Sequence, residues 1–451
     1  MNISKYILAN ICHPPEYGKV EFINHALIGL DRSGIIQFLL KPTDATYQEK
    51  LKQAKKEERL IAFDDSKLIL PGFIDLHIHA PQWPQAGVAL DSPLYDWLDN
   101  CTFPLESKYS NPEFSKEVYN NLVDTLLAHG TTTALYFASA NKNTSLSLAK
   151  ICAKKGQRAF IGKVVMDNPD QTPDYYRDES SQSALLETED FCKEVEKLAQ
   201  NTLQGIYPVI TPRFIPSCTD STLKNLGELA QTHNYYVQSH CSESDWEDSY
   251  VFNRFGKSDA EMLKSFGLLG PRSIMAHCVK LDTTGANIFA ETGTSIAHCP
   301  ISNAYFANSV LSVAKFQRLG INIGLGSDIS GGFSPSIYDN LRQAVIVSRI
   351  LEDGVDSSLP SEKRGKANSR ITLAKAFWHA TVGGGQALKL KLGLFKKDYS
   401  FDAQVIDLST LPTYGGFDNQ DSLWQKALYL TNSPSIKAVF VQGKKVYQNQ
   451  L

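Results

Sequence analysis

The stretch PGFIDLHIHAPQ, residues 71–82, decides the fold of this chain. It is an apolar run that carries two histidines, His77 and His79, at positions i and i+2. Because side chains alternate between the two faces of a strand, both imidazoles point to one face and their apolar neighbours point to the other. The pattern predicts a buried strand whose end could hold a divalent metal, although a lone His-x-His is equally typical of two satisfied structural histidines.

Composition describes an ordinary globular protein with no nucleic-acid partner. The chain has 451 residues, of which 42% are hydrophobic and 21% charged, enough for one barrel of about 250 residues and a smaller unit. The formal net charge is −3 and no dense stripe of lysine and arginine occurs. Such a chain lacks the basic field that nucleic-acid binding requires.

The sequence predicts a cytoplasmic protein without a membrane span. The first residues, MNISKYILANICHPPEYG, contain neither a long apolar core nor a small-residue cleavage site. No apolar run approaches the 18 or so residues that a span needs. The eight cysteines are scattered without C-x-x-C spacing, which favours reduced thiols over a disulfide framework.

The order of apolar runs predicts an α/β fold in three segments. Between residues 71 and 390, short apolar runs alternate with helical patterns, as in repeated βα units. We predict a (β/α)8 TIM barrel over 71–390, and a small discontinuous β-sandwich domain formed by 1–70 and 391–451 together. The predicted barrel strands are 72–79, 131–137, 159–166, 205–214, 235–241, 273–278, 294–299 and 321–328.

Five of the ten histidines fall at the ends of these predicted strands. Active sites of such barrels lie at the carboxyl ends of the strands, so these side chains should converge. Imidazoles with one carboxylate suit zinc, with iron as the alternative. Glu243 follows in a loop from which a carboxyl group can carry protons over a metal. The converging residues are His77, His79, His240, His277, His298 and Asp328.

Three cysteines directly follow three of these histidines, but we do not expect them to be ligands. Cys241, Cys278 and Cys299 should point to the face opposite each neighbouring histidine, because side chains alternate along a strand. We interpret them as small core hydrophobes.

Six segments, taken in order, resemble the signature segments of the guanine deaminase family within the metal-dependent amidohydrolase superfamily. They are PGFIDLHIHAPQ, TPRF, QSHCSES, MAHC, SIAHCPISN and LGSDISGG. The later stretch LGLFKKDYSFDAQVIDL resembles the segment by which the chain leaves the barrel in that superfamily. The resemblance implies one Zn²⁺ per chain held by His77, His79, His240, His277 and Asp328, with Glu243 as the proton shuttle.

The same resemblance places a purine against Gln82, Arg213 and Phe214, beside His79, His240, Glu243 and Asp328. Guanine presents O6 and N7 as acceptors, which an arginine can meet, and a glutamine amide both donates and accepts. Structural alternatives stay open, since Arg213 could pair with an acid, Gln82 could begin a loop and Phe214 could belong to the core.

His298 has no counterpart in that ligand set. We expect it to orient the attacking water as a catalytic donor, or else to be a structural histidine.

The resemblance implies hydrolytic deamination of guanine to xanthine and ammonia by a homodimer, with Glu243 and Asp328 as catalytic residues. One alternative is a deaminase or chlorohydrolase of another amino-substituted heteroaromatic ring, such as 8-oxoguanine, a thioadenosine or a triazine. Gln82, Arg213 and Phe214 would discriminate between these substrates. A non-catalytic scaffold is the other alternative, and the loss of a metal ligand would favour it; none is lost.

Overall fold

Two β-sheets organise the chain, and helices surround the larger one. The computed structural model describes residues 3–449. The outermost residues of the two predicted terminal segments, 1–2 and 450–451, lie outside the described residues.

The strands, in chain order, are β1 (Lys5–His13), β2 (Glu21–Leu30), β3 (Ile36–Leu40), β4 (Leu60–Ala62), β5 (Lys67–Pro71), β6 (Phe73–His79), β7 (Thr131–Phe137), β8 (Arg158–Gly162), β9 (Val164–Val165), β10 (Ile206–Pro212), β11 (Tyr236–Cys241), β12 (Ser273–His277), β13 (Ser295–His298), β14 (Ile323–Leu325), β15 (Ala403–Asp407), β16 (Ile436–Val441) and β17 (Lys444–Gln448).

The α-helices are α1 (Tyr47–Lys56), α2 (Leu94–Trp97), α3 (Phe103–Glu106), α4 (Pro112–Ala128), α5 (Lys142–Lys155), α6 (Ser181–Ala199), α7 (Asp220–His233), α8 (Asp245–Phe255), α9 (Asp259–Ser265), α10 (Thr283–Thr292), α11 (Pro300–Ser302), α12 (Val313–Arg318), α13 (Ile337–Asp353), α14 (Ser361–Arg364), α15 (Leu373–Trp378), α16 (Gly384–Ala387) and α17 (Gln420–Leu430). Within the described residues, none of the helices has both the length and the apolar character needed to cross a bilayer.

The larger sheet is the predicted parallel barrel, in the order β6-β7-β8-β10-β11-β12-β13-β14. Two backbone hydrogen bonds link its first strand, β6, to the segment that follows its last strand, β14. The N–H of Asp328 donates to the carbonyl of His77, and the N–H of His79 donates to the carbonyl of Ile329, each at 2.8 Å. All eight predicted strands are present, and the α/β barrel fold is confirmed.

Two predicted strands are shorter or interrupted. The prediction 159–166 is split into β8 and β9 at Lys163, whose buried ammonium group donates to Asp178 at 2.6 Å. A charged side chain that needs a buried partner overrides the apolar periodicity there. The prediction 321–328 retains only β14 as a strand, and Asp328 lies beyond it with a left-handed φ of 51°.

The smaller sheet joins both ends of the chain in the order β17-β16-β15-β5-β1-β2-β3, with β4 beside β1. Strands from both terminal segments share this one mixed sheet, which confirms the discontinuous β-structure of the predicted fold, while the predicted segment bounds stay a prediction. The chain turns between β16 and β17 at Gln442 and Gly443, whose φ values of 51° and 68° suit a tight hairpin turn.

A buried ion pair connects the barrel to the smaller sheet. The guanidinium of Arg158, on β8, contacts the carboxylate of Asp402, just before β15, and both side chains are 2% exposed. The same guanidinium donates to Gln442 Oε1 at 2.7 Å and to the hydroxyls of Ser400 and Thr133 at 3.2 Å each. Asp402 therefore neutralises the buried positive charge of Arg158.

We expect Asp402→Ala to lower the free energy of unfolding by about 3–5 kcal/mol, because the Arg158 charge would stay buried without its counter-ion. Urea unfolding of the metal-replete protein measures this change. Glu189→Ala, which breaks the exposed Lys193–Glu189 pair on α6, is the matched control and should leave the stability close to that of the native protein. Equal changes in the free energy of unfolding for the two substitutions would show that the buried pair between the barrel and the smaller sheet stabilises the protein no more than an exposed pair does.

Candidate metal centre and substrate pocket

Four histidines and one aspartate meet at the carboxyl end of the barrel. His77 and His79 come from β6, His240 from β11, His277 from the end of β12, and Asp328 from the segment after β14. Asp328 Oδ1 lies 3.2 Å from His77 Nε2 and 3.7 Å from His79 Nε2. His79 Nε2 lies 3.0 Å from His240 Nε2. The structure thus brings together the whole predicted ligand set.

The ring nitrogens that face the cluster are available as ligands. His240 Nδ1 donates to the carbonyl of Arg213 at 2.5 Å, and His277 Nδ1 donates to Asn303 Oδ1 at 2.9 Å, so each Nε2 carries a lone pair. The Nε2 atoms of His77 and His277 are buried and have no hydrogen-bond partner among the described residues. Such orphaned acceptors are costly unless something binds them, and this donor set fits a divalent metal ion.

Burial keeps these imidazoles neutral. It lowers the pKa of His77, His79 and His240 well below the usual value, and the neighbouring imidazoles lower it further. Neutral imidazole is the form that binds a metal. The potential ligand atoms fall into groups whose members lie within 4.8 Å of one another; the groups are His77, His240 and His277, then His77, His79 and Asp328, and then Glu243, His277 and Asp328.

The three cysteines that follow these histidines are buried. Cys241, Cys278 and Cys299 belong to none of the potential ligand groups found within residues 3–449. Cys241 and Cys278 pack in the main hydrophobic core, as expected, whereas Cys299 is buried outside that cluster.

Glu243 lies beside the cluster, with Oε1 at 3.5 Å from His277 Nε2. Burial and the charge of Asp328 raise the pKa of Glu243 to about 8, although the charge of Arg213 lowers it. The backbone at this point is held by two acids, because the Ser242 N–H donates to Asp259 Oδ2 at 2.6 Å and the Glu243 N–H donates to Glu247 Oε2 at 2.7 Å. These acids, which sequence patterns did not identify, fix the position of Glu243.

Asp259 and Glu247 are in contact with each other and are both buried. Their remaining oxygens, Asp259 Oδ1 and Glu247 Oε1, have no N–H or O–H donor within the described part of the chain. Burial raises the pKa of both groups, and the charge of Asp259 raises that of Glu247 further. Burial and the charge of Asp248 raise the pKa of Asp259 to about 7, against the hydrogen bonds of Ser242 and Glu247, which lower it. The pair therefore holds a shared proton near neutral pH.

We expect Asp259→Asn to reduce the loss of stability at rising pH. Carboxyl groups of the unfolded chain lose their protons near pH 4, while the folded pair keeps one to about pH 7. The folded state then binds more protons, so native stability falls as the pH rises through that window. An asparagine amide donates to Glu247 without a titrating proton. Thermal midpoints at pH 5 and pH 8 measure the effect. The thermal midpoint of the variant should be higher, relative to that of the native protein, at pH 8 than at pH 5.

Glu247→Gln removes the titrating group on the other side of the pair. We expect it to reduce the pH dependence of stability in the same way as Asp259→Asn. Native-like pH dependence in both variants would contradict proton sharing.

Gln82, Arg213 and Phe214 line one cleft with His79, His240, His277, Glu243 and Asp328. The cleft encloses about 400 Å³, including the space open to solvent. The Phe214 ring lies 6.1 Å from the His240 ring and 5.8 Å from that of Trp246. Sequence reasoning did not identify the apolar part of the wall, which is formed by Leu94, Trp97, Leu98 and Phe306.

Arg213 pairs with an acid and also faces the cleft. Its guanidinium donates to both oxygens of Glu106, at 2.7 and 3.2 Å, and Gln82 Nε2 donates to Glu106 Oε1 at 2.9 Å. Glu106 is 1% exposed and lies at the end of α3. It is 24 residues from Gln82 and 107 from Arg213, and no spacing pattern in the sequence indicates this contact.

His298, at the end of β13, is buried but does not line the cleft. Both of its ring nitrogens lack a hydrogen-bond partner among residues 3–449. Burial, with the nearby His379 and His277, lowers its pKa to about 3, so the ring is neutral. A role in orienting water remains a prediction.

Comparison with known proteins places the chain in a family. Residues 68–446 match the amidohydrolase family model. The guanine deaminase of Dictyostelium discoideum is 36% identical, with 98% of each chain covered, and that of Homo sapiens is 38% identical, with 95% and 93% covered. A crystal structure of guanine deaminase from C. acetobutylicum with bound guanine has a TM-score of 0.88 and 30% identity, covering 98% and 100%. This chain therefore belongs to the amidohydrolase family, where it groups with the guanine deaminases.

Proposed function

We propose that this chain hydrolyses guanine to xanthine and ammonia in purine catabolism. The observation that carries the proposal is that the donors of Gln82 and Arg213 share one cleft with the imidazole–carboxylate cluster and Glu243. Relatives that cover nearly the whole chain are named guanine deaminases, and the similar crystal structure holds guanine.

The metal we propose is one zinc ion per chain, held by His77, His79, His240, His277 and Asp328. When bound, it would lower the pKa of a water molecule and polarise it for attack. Imidazole nitrogens with a carboxylate suit zinc. The fourth barrel strand is followed by Arg213 rather than by a lysine that could bridge a second ion, and the nearby buried Lys163 is paired with Asp178.

Recognition of guanine would rest on Arg213, Gln82 and Phe214. A guanidinium has five N–H donors; Glu106 engages some of them from behind, and the others can meet O6 and N7 of the purine. Phe214 offers an apolar surface at the ring of His240, suited to the purine face. Leu94, Trp97 and Phe306 exclude water from the remaining side.

In the proposed reaction, water adds to C2 of guanine and the exocyclic amine leaves. Asp328 and Glu243 orient the water, and Glu243 accepts its proton. Glu243 then delivers that proton to N3, beside C2. The proton of the new C2 hydroxyl group passes to the amine, which departs as ammonia while the C2–O bond becomes the carbonyl of xanthine. A carboxyl group placed beside the proposed water can accept a proton and release it again.

We also propose a cytoplasmic homodimer. All eight cysteines are free thiols, the state that a reducing compartment maintains. Apolar side chains of α13 and the loop after it are exposed, at 49% for Ile346, 43% for Ile350 and 80% for Val355. Exposed apolar side chains grouped in this way favour a protein–protein contact, and a second copy of the chain is the partner we propose.

We expect Glu243→Gln to lower kcat for guanine by about 10²–10⁴-fold while zinc stays bound, because the amide keeps the shape but cannot carry a proton. Ammonia release measures turnover, and elemental analysis should find about one zinc per chain in both proteins. Glu228→Gln, on the exposed face of α7, is the control and should be fully active. Near-native turnover of Glu243→Gln would assign proton transfer to another group, and two tightly held metals would refute the single zinc.

We expect native kcat/KM for guanine to exceed that for adenine by at least about a thousandfold. Adenine has no amine at C2, the carbon that the proposed reaction attacks. Its C6 amine would also set a donor against the donors of Arg213, where guanine has an acceptor, and leave them unpaired. Ammonia release from a panel of guanine, adenine, 8-oxoguanine, a thioadenosine and a triazine measures the selectivity. If adenine or the triazine were turned over as fast as guanine, the proposed substrate would be wrong although the metal chemistry could stand.

A further inference from the structure

Glu106 connects the two polar residues that face the proposed purine. Its Oε2 accepts from Arg213 NH1 at 2.7 Å. Its Oε1 accepts from Arg213 NH2 at 3.2 Å and from Gln82 Nε2 at 2.9 Å. The carboxylate is 1% exposed and does not itself line the cleft, so it acts on the cleft only through these two neighbours.

The contact with Glu106 fixes which way the Gln82 amide points. Gln82 Nε2 donates to the carboxylate, and Gln82 Oε1 accepts the N–H of Ser330 at 3.1 Å. A flipped amide would set oxygen against carboxylate and N–H against N–H, so both contacts select one orientation. The second N–H of Nε2 and the second lone pair of Oε1 are then free, and their directions in the cleft are fixed.

Glu106 also fixes the plane and the charge of Arg213. A bidentate carboxylate holds a guanidinium in one plane, and the Phe103 ring lies 5.2 Å from the guanidinium carbon. The side chain of Arg213 is 3% exposed, so its charge needs a buried counter-ion. With Glu106 in place the pair is neutral, and its free N–H groups present hydrogen-bond donors to an uncharged ligand.

We propose that Glu106 is a positioning residue that sets selectivity for 6-oxopurines, because it holds Arg213 and Gln82 in the donor pattern that matches O6 and N7. This inference rests on the proposed function and deepens it. Without the carboxylate, Arg213 can turn and Gln82 can flip. The cleft then loses the pattern that separates an oxygen from an amine at C6, while the metal cluster and Glu243 remain in place.

The test compares Glu106→Gln and Glu106→Asp with the native zinc enzyme, and Glu117→Gln, on the exposed face of α4, is the matched control. We expect Glu106→Gln to lower kcat/KM for guanine at least about tenfold, mainly through KM, and to reduce by at least about tenfold the ratio of kcat/KM for guanine to that for 2,6-diaminopurine, which keeps the C2 amine but carries an amine at C6. Zinc content should not change. Glu106→Asp keeps the charge with a shorter reach, so its selectivity should lie between the native and Glu106→Gln values.

Hypoxanthine isolates recognition from chemistry, because it has O6 and N7 but no amine at C2. We expect its competitive inhibition constant to rise at least about tenfold in Glu106→Gln and to be unchanged in Glu117→Gln. If Glu106→Gln proves unstable, Glu106→Asp provides the same measurement with the buried charge retained.

A purely structural role would lower the yield or the thermal midpoint of both variants while leaving the selectivity ratio and the hypoxanthine constant at native values, and that result would overturn the inference. Failure of the native enzyme to deaminate guanine would instead overturn the proposed function, so the two failures are distinguishable.

Discussion

Two backbone hydrogen bonds between the first barrel strand and the segment after the last one hold the site together. Asp328 N–H donates to His77 O, and His79 N–H donates to Ile329 O. Because these bonds bind the segment that carries Asp328 to the strand that carries both histidines, residues from opposite ends of the barrel sequence become neighbours. His240 and His277 then join from β11 and β12, across the barrel mouth. The cluster is thus a consequence of barrel closure.

Burial at the barrel mouth determines the charge state of each group. It lowers the pKa of the imidazoles, so they are neutral and ready to bind a metal. The same burial raises the pKa of the carboxyl groups of Glu243 and Asp328. A cation among these residues would reverse the second effect, because it favours the ionised carboxylates. Because the same burial sets the pKa of all these groups, metal binding and the protonation of Glu243 and Asp328 depend on each other.

Sequence patterns could predict the strands and the ligands because both follow local rules. Period-two alternation places His77 and His79 on one face, and the barrel rule places strand ends at one mouth. Glu106, Glu247 and Asp259 obey no such rule, since each reaches its partner from a helix whose orientation depends on tertiary packing. The interruption at Lys163 was missed for the same reason, because its partner Asp178 lies in a connecting segment.

The buried acids around the cleft are compensated in three different ways. Glu106 is neutralised by Arg213, and burial raises the pKa of Glu247 and Asp259, which favours a proton held between them. Asp328 and Glu243 form no ion pair with any lysine or arginine of residues 3–449; their ionic contacts are with histidines that burial keeps neutral. A divalent cation supplies the two positive charges that these two carboxylates lack, and burying unpaired charge is costly enough to demand such a partner. Since the Arg213–Glu106 pair contributes no net charge, the cleft as a whole becomes neutral with the metal in place, which matches an uncharged purine.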